Sequence, residues 1–276
     1  DKAGNRTNVS RNIHLDKAKP SALVDILYPL NGEHKNGIFN IYGQTEVQPG
    51  NEIASVKLYI DDKLVKETPL SDAGFFKFEI TPPTEEKTGE VTEDGTELTR
   101  IRTDMTDGIH KYRVDAVMKN GIQISSREQT ITYSSTGPWI SIDNFTYGDF
   151  AMERPYIKGR AGYSLSSDEI LFAKSKEATK EQKAIIAAKK VAKVELSFDN
   201  GKTFTELSEN GKWMYRVENQ DMPEGYHFML VRATMENGET AIERSIIQID
   251  NTSPTVKLIS PSNGGRYNQV HSSLQA

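Results

Sequence analysis

Cysteine is absent from the 276 residues, which excludes disulfides, thiolate zinc sites and cysteine nucleophiles together. Long apolar runs are absent too: nothing approaches the ~18 residues of a membrane-spanning helix. Hydrophobic residues make up only 36% of the chain and mean hydropathy is -0.59, so cores are thin and small domains fit better than one thick one. Positive charge is the scarcer sign, 34 Lys and Arg against 39 Asp and Glu, which removes nucleic acid as the default partner. No HExxH, GxSxG or phosphate-cradling glycine loop occurs, and no residue is assigned to catalysis, a metal or a cofactor.

What the chain does have is a repeated frame. Gly4, Gly121 and Gly238 are 117 residues apart each time, each inside a Gly-Asn or Asn-Gly pair. Upstream of the last two, the fourteen residues from Gly108 to Gly121 align without gaps to those from Gly225 to Gly238, and seven are identical. A constant period with that identity marks a tandem repeat.

Short stretches that alternate apolar with polar residues predict strands: Val24–Tyr28, Ile38–Tyr42, Val56–Ile60, Phe76–Ile80, Tyr112–Ala116 and Gln129–Tyr133 in the first copy. The second copy gives Trp139–Ile142, Tyr156–Arg160, Val194–Phe198, Trp213–Val217, Phe228–Ala233 and Ser245–Ile249. Turn signals such as Asp61-Asp62 and Asn120-Gly121 fall between them. About seven short strands in ~115 residues is the pattern of an all-β sandwich. The expected division is residues 18–135 and 136–251 as two sandwiches. On the same frame, residues 1–17 are the last strands of a preceding copy and 252–276 the first strand of a following one. Val114, Ala116, Val231 and Ala233 are expected inside their sandwiches, with His110 and His227 at matching sandwich ends.

Asp1-Lys2-Ala3-Gly4-Asn5, and Asp250-Asn251-Thr252-Ser253-Pro254 running into Ser260-Pro261, resemble the end-of-domain and start-of-domain phrases of bacterial immunoglobulin-like repeats, which are similar to fibronectin type III modules. The resemblance covers nearly the whole chain and marks architecture rather than activity. It implies an exported bacterial protein, at the cell surface, in the periplasm or secreted. Its modules would act as non-enzymatic spacers, adhesive units or protein-interaction units. The alternative is a set of accessory carbohydrate- or protein-binding modules beside a catalytic domain. The partners implied are neighbouring repeats of the same chain and another surface or periplasmic protein or a glycan. The middle junction, Tyr133 to Pro138, lacks the Asp found at Asp16 and Asp250, so the frame does not repeat a calcium site at every junction.

Ser197-Phe198-Asp199-Asn200-Gly201-Lys202-Thr203-Phe204 resembles the Asp-box of sialidase-type propellers, a hairpin remote from the active site in those families. Aligned with Tyr59–Leu64 of the first copy, it reads as a plain turn between two strands. Sequons at Asn5, Asn8, Asn144 and Asn251 carry little weight in an Asn- and Thr-rich β protein. Trp139 and Trp213 sit at positions where a sandwich buries its residues. The best candidate surface patch is Tyr147, Phe150 and Tyr156.

Two insertions break the symmetry of the copies. Pro82 to Asp107 is a long loop in the first. Ser164 to Lys193 is an insert in the second, where the lack of Gly and Pro and the run of Ala, Lys, Glu and Gln predict one helix from Ser175 to about Lys190. Thr179-x-x-Gln182 is a candidate capping box that would start it later. The loop is acidic (Glu85, Glu86, Glu90, Glu93, Asp94) and the insert basic (Lys183, Lys189, Lys190). Sandwich topology sends both toward the linker, so they are expected to meet there as an inter-domain contact.

Overall fold

The computed structural model describes residues 22–70, 74–92, 94–144, 150–151, 156–208, 211–217, 222–250, 252 and 255. The strand expected over 1–17 lies outside them, as does 252–276 apart from Thr252 and Thr255. Two β-sandwiches follow one another along the chain. The first runs through β1 (Ala22–Tyr28), β2 (Glu33–Asn36), β3 (Phe39–Val47), β4 (Ile53–Ile60), β5 (Lys63–Thr68), β6 (Phe75–Ile80), β7 (Thr84–Val91), β8 (Glu97–Arg102), β9 (Gly108–Met118), β10 (Gln123–Ser125) and β11 (Gln129–Ser134). The second comprises β12 (Gly137–Ile142), β13 (Phe150–Ala151), β14 (Tyr156–Ser164), α1 (Ser167–Lys174), α2 (Lys180–Ala188), β15 (Val191–Ser197), β16 (Thr205–Ser208), β17 (Lys212–Arg216), β18 (Gly225–Met235) and β19 (Thr240–Ile249).

The same topology is built twice. A three-stranded sheet, β1-β3-β6, faces β2-β11-β9-β4-β5 in the first copy, and β12-β14-β17 faces β13-β19-β18-β15-β16 in the second. All pairs are antiparallel except one in each copy, where the chain beyond the first strand crosses to the opposite sheet and pairs parallel with the last strand: β2 with β11 and β13 with β19. This is the immunoglobulin-like arrangement. Alternation decides which side chains meet between the sheets. Ile41, Val56, Leu58, Phe78, Val114, Ala116 and Ile131 fill the first core. Ile142, Ile157, Val194, Leu196, Trp213, Val231, Ala233 and Ile247 fill the second.

His110 and His227 occupy matching places, as the repeat requires. Each ring Nε2 lies against the carbonyl four residues upstream, Thr106 O at 2.7 Å and Pro223 O at 2.6 Å. Asp61-Asp62 turns β4 into β5 with positive φ at both residues, the backbone of a tight primed hairpin turn, and the longer connection from β15 to β16 has positive φ at Asn200 and Gly201.

The structure corrects three expectations. Pro82–Asp107 is not an open loop, since β7 and β8 pair within it as a hairpin. The insert holds two helices instead of one from Ser175. Ser166 caps α1 in a capping box with Glu169, Ser175 ends that helix, and Thr179 with Gln182 caps α2 in the same way. Trp139 is half-buried and outside the core, whereas Trp213 is buried within it. Gly162, opposite Trp139 on β14, leaves room for the indole, and Gly37 of the first sandwich approaches the same ring.

Gly43 on β3 and Gly159 on β14 show how closely the copies follow one another. Each lies opposite an aromatic residue of the next strand, Phe76 and Trp213 respectively. A Cβ at Gly43 would stand 2.0 Å from the Phe76 ring, and one at Gly159 would stand 1.9 Å from Ser141 O and 2.4 Å from the Trp213 ring. The aromatic covers the bare backbone and an added methyl has no space. Gly43→Ala and Gly159→Ala should each lower stability by about 1–3 kcal/mol or more through overpacking, read as a reduced urea midpoint. A change below ~0.5 kcal/mol at both would show that the strands yield at no cost.

Candidate functional site

The face of β3 that points away from its own core is buried. Phe39, Ile41 and Gly43 face inward, and alternation would send Asn40 and Tyr42 to solvent, yet Asn40 is 1% exposed and Tyr42 0%. The second sandwich covers them. Its β12 and β19 place Ser141 and Glu243 against this face, both also buried.

At the centre is the Glu243 carboxylate. Its Oε1 accepts from the Tyr42 hydroxyl and, at 3.0 Å, from Asn40 Nδ2, while Oε2 accepts from the Ile142 N–H at 3.2 Å. Asn40 Nδ2 also lies 3.1 Å from Ser141 Oγ. One carboxylate thus binds two strands, β3 and β12, that belong to different sandwiches. Beside it lies Lys35, buried, which donates to the Tyr28 hydroxyl, to Ile242 O at 3.3 Å, and pairs with Glu33 at 2.9 Å. Tyr28 OH in turn donates to Ile242 O at 3.2 Å. The Tyr28 and Tyr42 rings pack at 6.1 Å. Arg244 approaches Glu33 at 3.5 Å at the rim, where a cleft of about 250 Å³ opens between the sandwiches beside Trp139.

A second set of contacts lies nearer solvent, on β6. Arg160 forms a bidentate pair with Asp143 at 2.8 and 3.0 Å and reaches Glu79 of the first sandwich at 2.6 Å. Lys77 Nζ donates to Asp143 O at 2.7 Å. Bidentate guanidinium–carboxylate geometry fixes direction as well as distance.

Burial sets the electrostatics of this joint. Desolvation pushes the Glu243 carboxyl up to about 7, against the pull of the Tyr42 and Asn40 hydrogen bonds and the Lys35 charge. Desolvation likewise draws Lys35 down, opposed by Glu33 and Glu243. Tyr28 and Tyr42 are held well above the ordinary phenol value by burial and by the nearby Glu243 charge. Such an arrangement joins two bodies; the carboxylate is occupied by donors from both.

The residues singled out in the sequence fall elsewhere. Tyr147 lies outside the described residues, and of Phe150 the structure describes only the backbone, in β13. Tyr156 is exposed on β14, with the Arg216 guanidinium 5.7 Å from its ring. Glu85, Glu86 and Glu90 are on β7 and Asp94 in the turn after it, all exposed except the half-buried Glu86, and Glu93 is outside the described residues. Glu86 pairs with Arg100 at 2.9 Å inside that hairpin. Lys183 is on α2, and Lys189 and Lys190 follow it. Lys189 pairs with Glu169 of α1 and lies 4.5 Å over the Tyr163 ring. Glu86 and Lys189 thus each pair within their own insertion, and the inter-domain bonds described above run between β-strand faces. The Asp-box-like turn is the hairpin between β15 and β16. Asp199 accepts from the N–H groups of Lys202 and Thr203, both at 2.9 Å, and from the Thr203 and Ser197 hydroxyls. These bonds hold its carboxyl well below the usual range, with the Thr203 N–H foremost. Among the described residues no group of three or more His, Asp or Glu is placed to hold a metal ion.

The folded-state value of Glu243 is raised, so the folded chain binds a proton that the unfolded chain, near 4.5, releases. The associated stability is fully present below about pH 4.5 and is lost as pH rises through 7. Between pH 5 and 8 the wild type should lose on the order of 3 kcal/mol from this group, and Glu243→Gln should flatten that slope. Urea unfolding at five pH values measures it. A slope unchanged in the variant would assign the pH dependence to other groups.

No protein-family model matches the chain, and no curated protein matches it in sequence. Solved structures align with the chain at low identity and low TM-score. Fibronectin(III)-like modules of Clostridium thermocellum CbhA align at 16% identity and a TM-score of 0.28, over 83% of this chain and 95% of theirs. A tetra-tandem repeat from the extending region of a large adhesion protein aligns at 16% identity and 0.26, over 90% of this chain and 54% of its own. The Bacteroides ovatus mixed-linkage glucan protein SGBP-B, solved with a heptasaccharide, aligns at 11% and 0.23, over 83% and 48%. The chain is an all-β tandem of immunoglobulin-like sandwiches.

Proposed function

We propose that the chain is a non-catalytic pair of immunoglobulin-like modules whose joint is stiff, serving as a spacer and protein-interaction segment of an exported bacterial repeat protein. The observation that carries this reading is the buried Glu243 network. Two sandwiches joined by a free linker keep polar faces in solvent and move relative to one another. Here Asn40, Tyr42, Ser141 and Glu243 are removed from water together, and separating the sandwiches would break hydrogen bonds to a charge that no longer has its partners. Breaking one side of a buried charged set costs about 3–5 kcal/mol, whereas the rim pair Arg160–Glu79 is worth about 0–1 kcal/mol. The inner network therefore sets the angle. Export and membership of a longer array are supported by the resemblance of the Asp1–Asn5 and Asp250–Pro254 phrases to bacterial immunoglobulin-like repeats. No helix among the described residues is long and apolar enough to cross a membrane.

Because the chain has no cysteine, two labels can be placed without removing any. Spin labels at Lys63→Cys and Glu206→Cys, both exposed and one in each sandwich, should give a single narrow distance distribution. Combining Asn40→Ala, Tyr42→Phe and Glu243→Gln should broaden it while leaving each sandwich folded by circular dichroism. A wild-type distribution as broad as that of the triple variant would overturn the stiff spacer.

A further inference from the structure

The two copies superimpose in register across the three-stranded sheets. On β3 and β6, Asn40 lies opposite Glu79 and Tyr42 opposite Lys77. On β14 and β17, Tyr156 lies opposite Arg216 and Lys158 opposite Met214. The core positions between them agree, with Ile41 matching Ile157 and Gly43 matching Gly159, so these two sets of four are the same face of the two sandwiches.

In the first sandwich that face is occupied. Asn40, Tyr42, Lys77 and Glu79 bond Ser141, Glu243, Asp143 and Arg160 of the second sandwich. In the second sandwich the side chains of the same face are exposed: Tyr156 is 48% and Met214 60% exposed, and Lys158 and Lys212 are exposed beside them. A shallow cavity of about 400 Å³ lies on it, lined by Lys158, Lys212 and Met214 and bounded by Asp143 and Arg160 of the internal joint. An aromatic and a thioether in reach of solvent, ringed by cations, mark a contact surface rather than an ordinary exterior.

The occupant follows from what the second sandwich presents to the first. It offers the end of its first strand, Ser141 to Asp143, with the adjoining part of its last strand. In the first sandwich the residue at the place of Ser141 is Asp25, which pairs with Gln44 on β3 as Ser141 pairs with Arg160 on β14. Asp25 is exposed on β1, the outermost strand of its sheet among the described residues, and Glu46 is exposed on the neighbouring strand. The open face is cationic and this edge is acidic.

We infer that the Tyr156–Lys158–Met214 face is a docking site for the first sandwich of a second copy of this chain, repeating between chains the contact that joins the sandwiches within one. The contact is heterologous, so it joins chains head to tail. It lacks the effective concentration that the short linker gives the internal joint, and it lacks a counterpart of Glu243, whose place in the first copy is Ser126. It is therefore weak, and it rests on opposite charges that salt screens. It stands on the internal joint described above, which the spin-label distances test separately within one chain.

Sedimentation of the whole chain over a hundredfold concentration range, in 20 mM and 500 mM salt, tests it. The expected result is concentration-dependent association in low salt that disappears in high salt. Lys158→Glu alone should weaken it at least tenfold, as should Asp25→Lys alone. To locate the contact, a spin label at Leu23→Cys, exposed on β1, should broaden amide signals of Tyr156, Lys158 and Met214 in a second, isotopically labelled chain. A chain that stays monomeric at millimolar concentration in low salt overturns the inference. So does association that the two single variants leave unchanged, or broadening confined to another surface such as Tyr226 and Phe228.

Discussion

Removal of one carboxylate from water organises the relation between the two halves of the molecule. Glu243 lies on the inward-facing register of β19, in line with Ser245, Ile247 and Ile249, where a sandwich ordinarily puts an apolar residue. A charge there is tolerated only with its hydrogen-bonding capacity filled. The donors that fill it come from Tyr42 and Asn40 of the other sandwich and from the Ile142 N–H. Once they are in place, β3 cannot leave β12 without leaving the carboxylate uncompensated. The burial of Lys35, Tyr28 and Ser141 follows from the same closure. The outer pairs of Arg160 add direction rather than strength.

This ordering of energies separates what folds each sandwich from what fixes the pair. Each core closes by alternation of apolar residues between two sheets, and nothing in it requires the other half. The joint is polar almost throughout. Apolar contact would hold two sandwiches together while allowing them to slide, since the hydrophobic effect has no direction. A carboxylate with three donors, two of them Tyr42 and Asn40 of the other sandwich, permits one arrangement. A polar joint therefore gives an angle.

Strand identity was legible wherever burial was one-sided. Every alternating stretch named from the sequence is a strand. What escaped are the strands with no alternation to read. Glu33–Asn36 contains no hydrophobic residue and exists because its backbone pairs parallel with β11. The β7–β8 hairpin is exposed along most of its length, and its pairing leaves no trace in the pattern. The first helix of the insert was legible in principle: Ser166 to Glu169 carries the same Ser/Thr-x-x-Glu/Gln signature as Thr179 to Gln182. The joint was legible only in part. Asn40 and Tyr42 occupy positions that alternation assigns to solvent, and nothing local distinguishes a face covered by another domain from a wet one. Glu243, a charge in the inward register, is the residue that marks the joint in the sequence.

The repeat explains why this signal sits in one copy and not the other. Positions that hold the frame are retained between the copies: Ile41 and Ile157, Gly43 and Gly159, Val114 and Val231, Ala116 and Ala233, His110 and His227. All are inward-facing, close to another backbone or tied to a strand end, and their replacement would damage the fold. The outward positions have no such constraint, and there the copies diverge completely: Asn40 against Tyr156, Tyr42 against Lys158, Lys77 against Met214, Glu79 against Arg216. Glu243 against Ser126 completes the set, because a buried carboxylate is stable only where donors exist to receive it, and only the first copy supplies Asn40 and Tyr42. Donor face and acceptor strand are therefore matched across the internal joint, while the matching face of the second copy has a different, cationic and aromatic character. Between the two copies the sandwich is the shared element and the face of the three-stranded sheet the differing one, and in the first copy that face carries the bonds to the second sandwich.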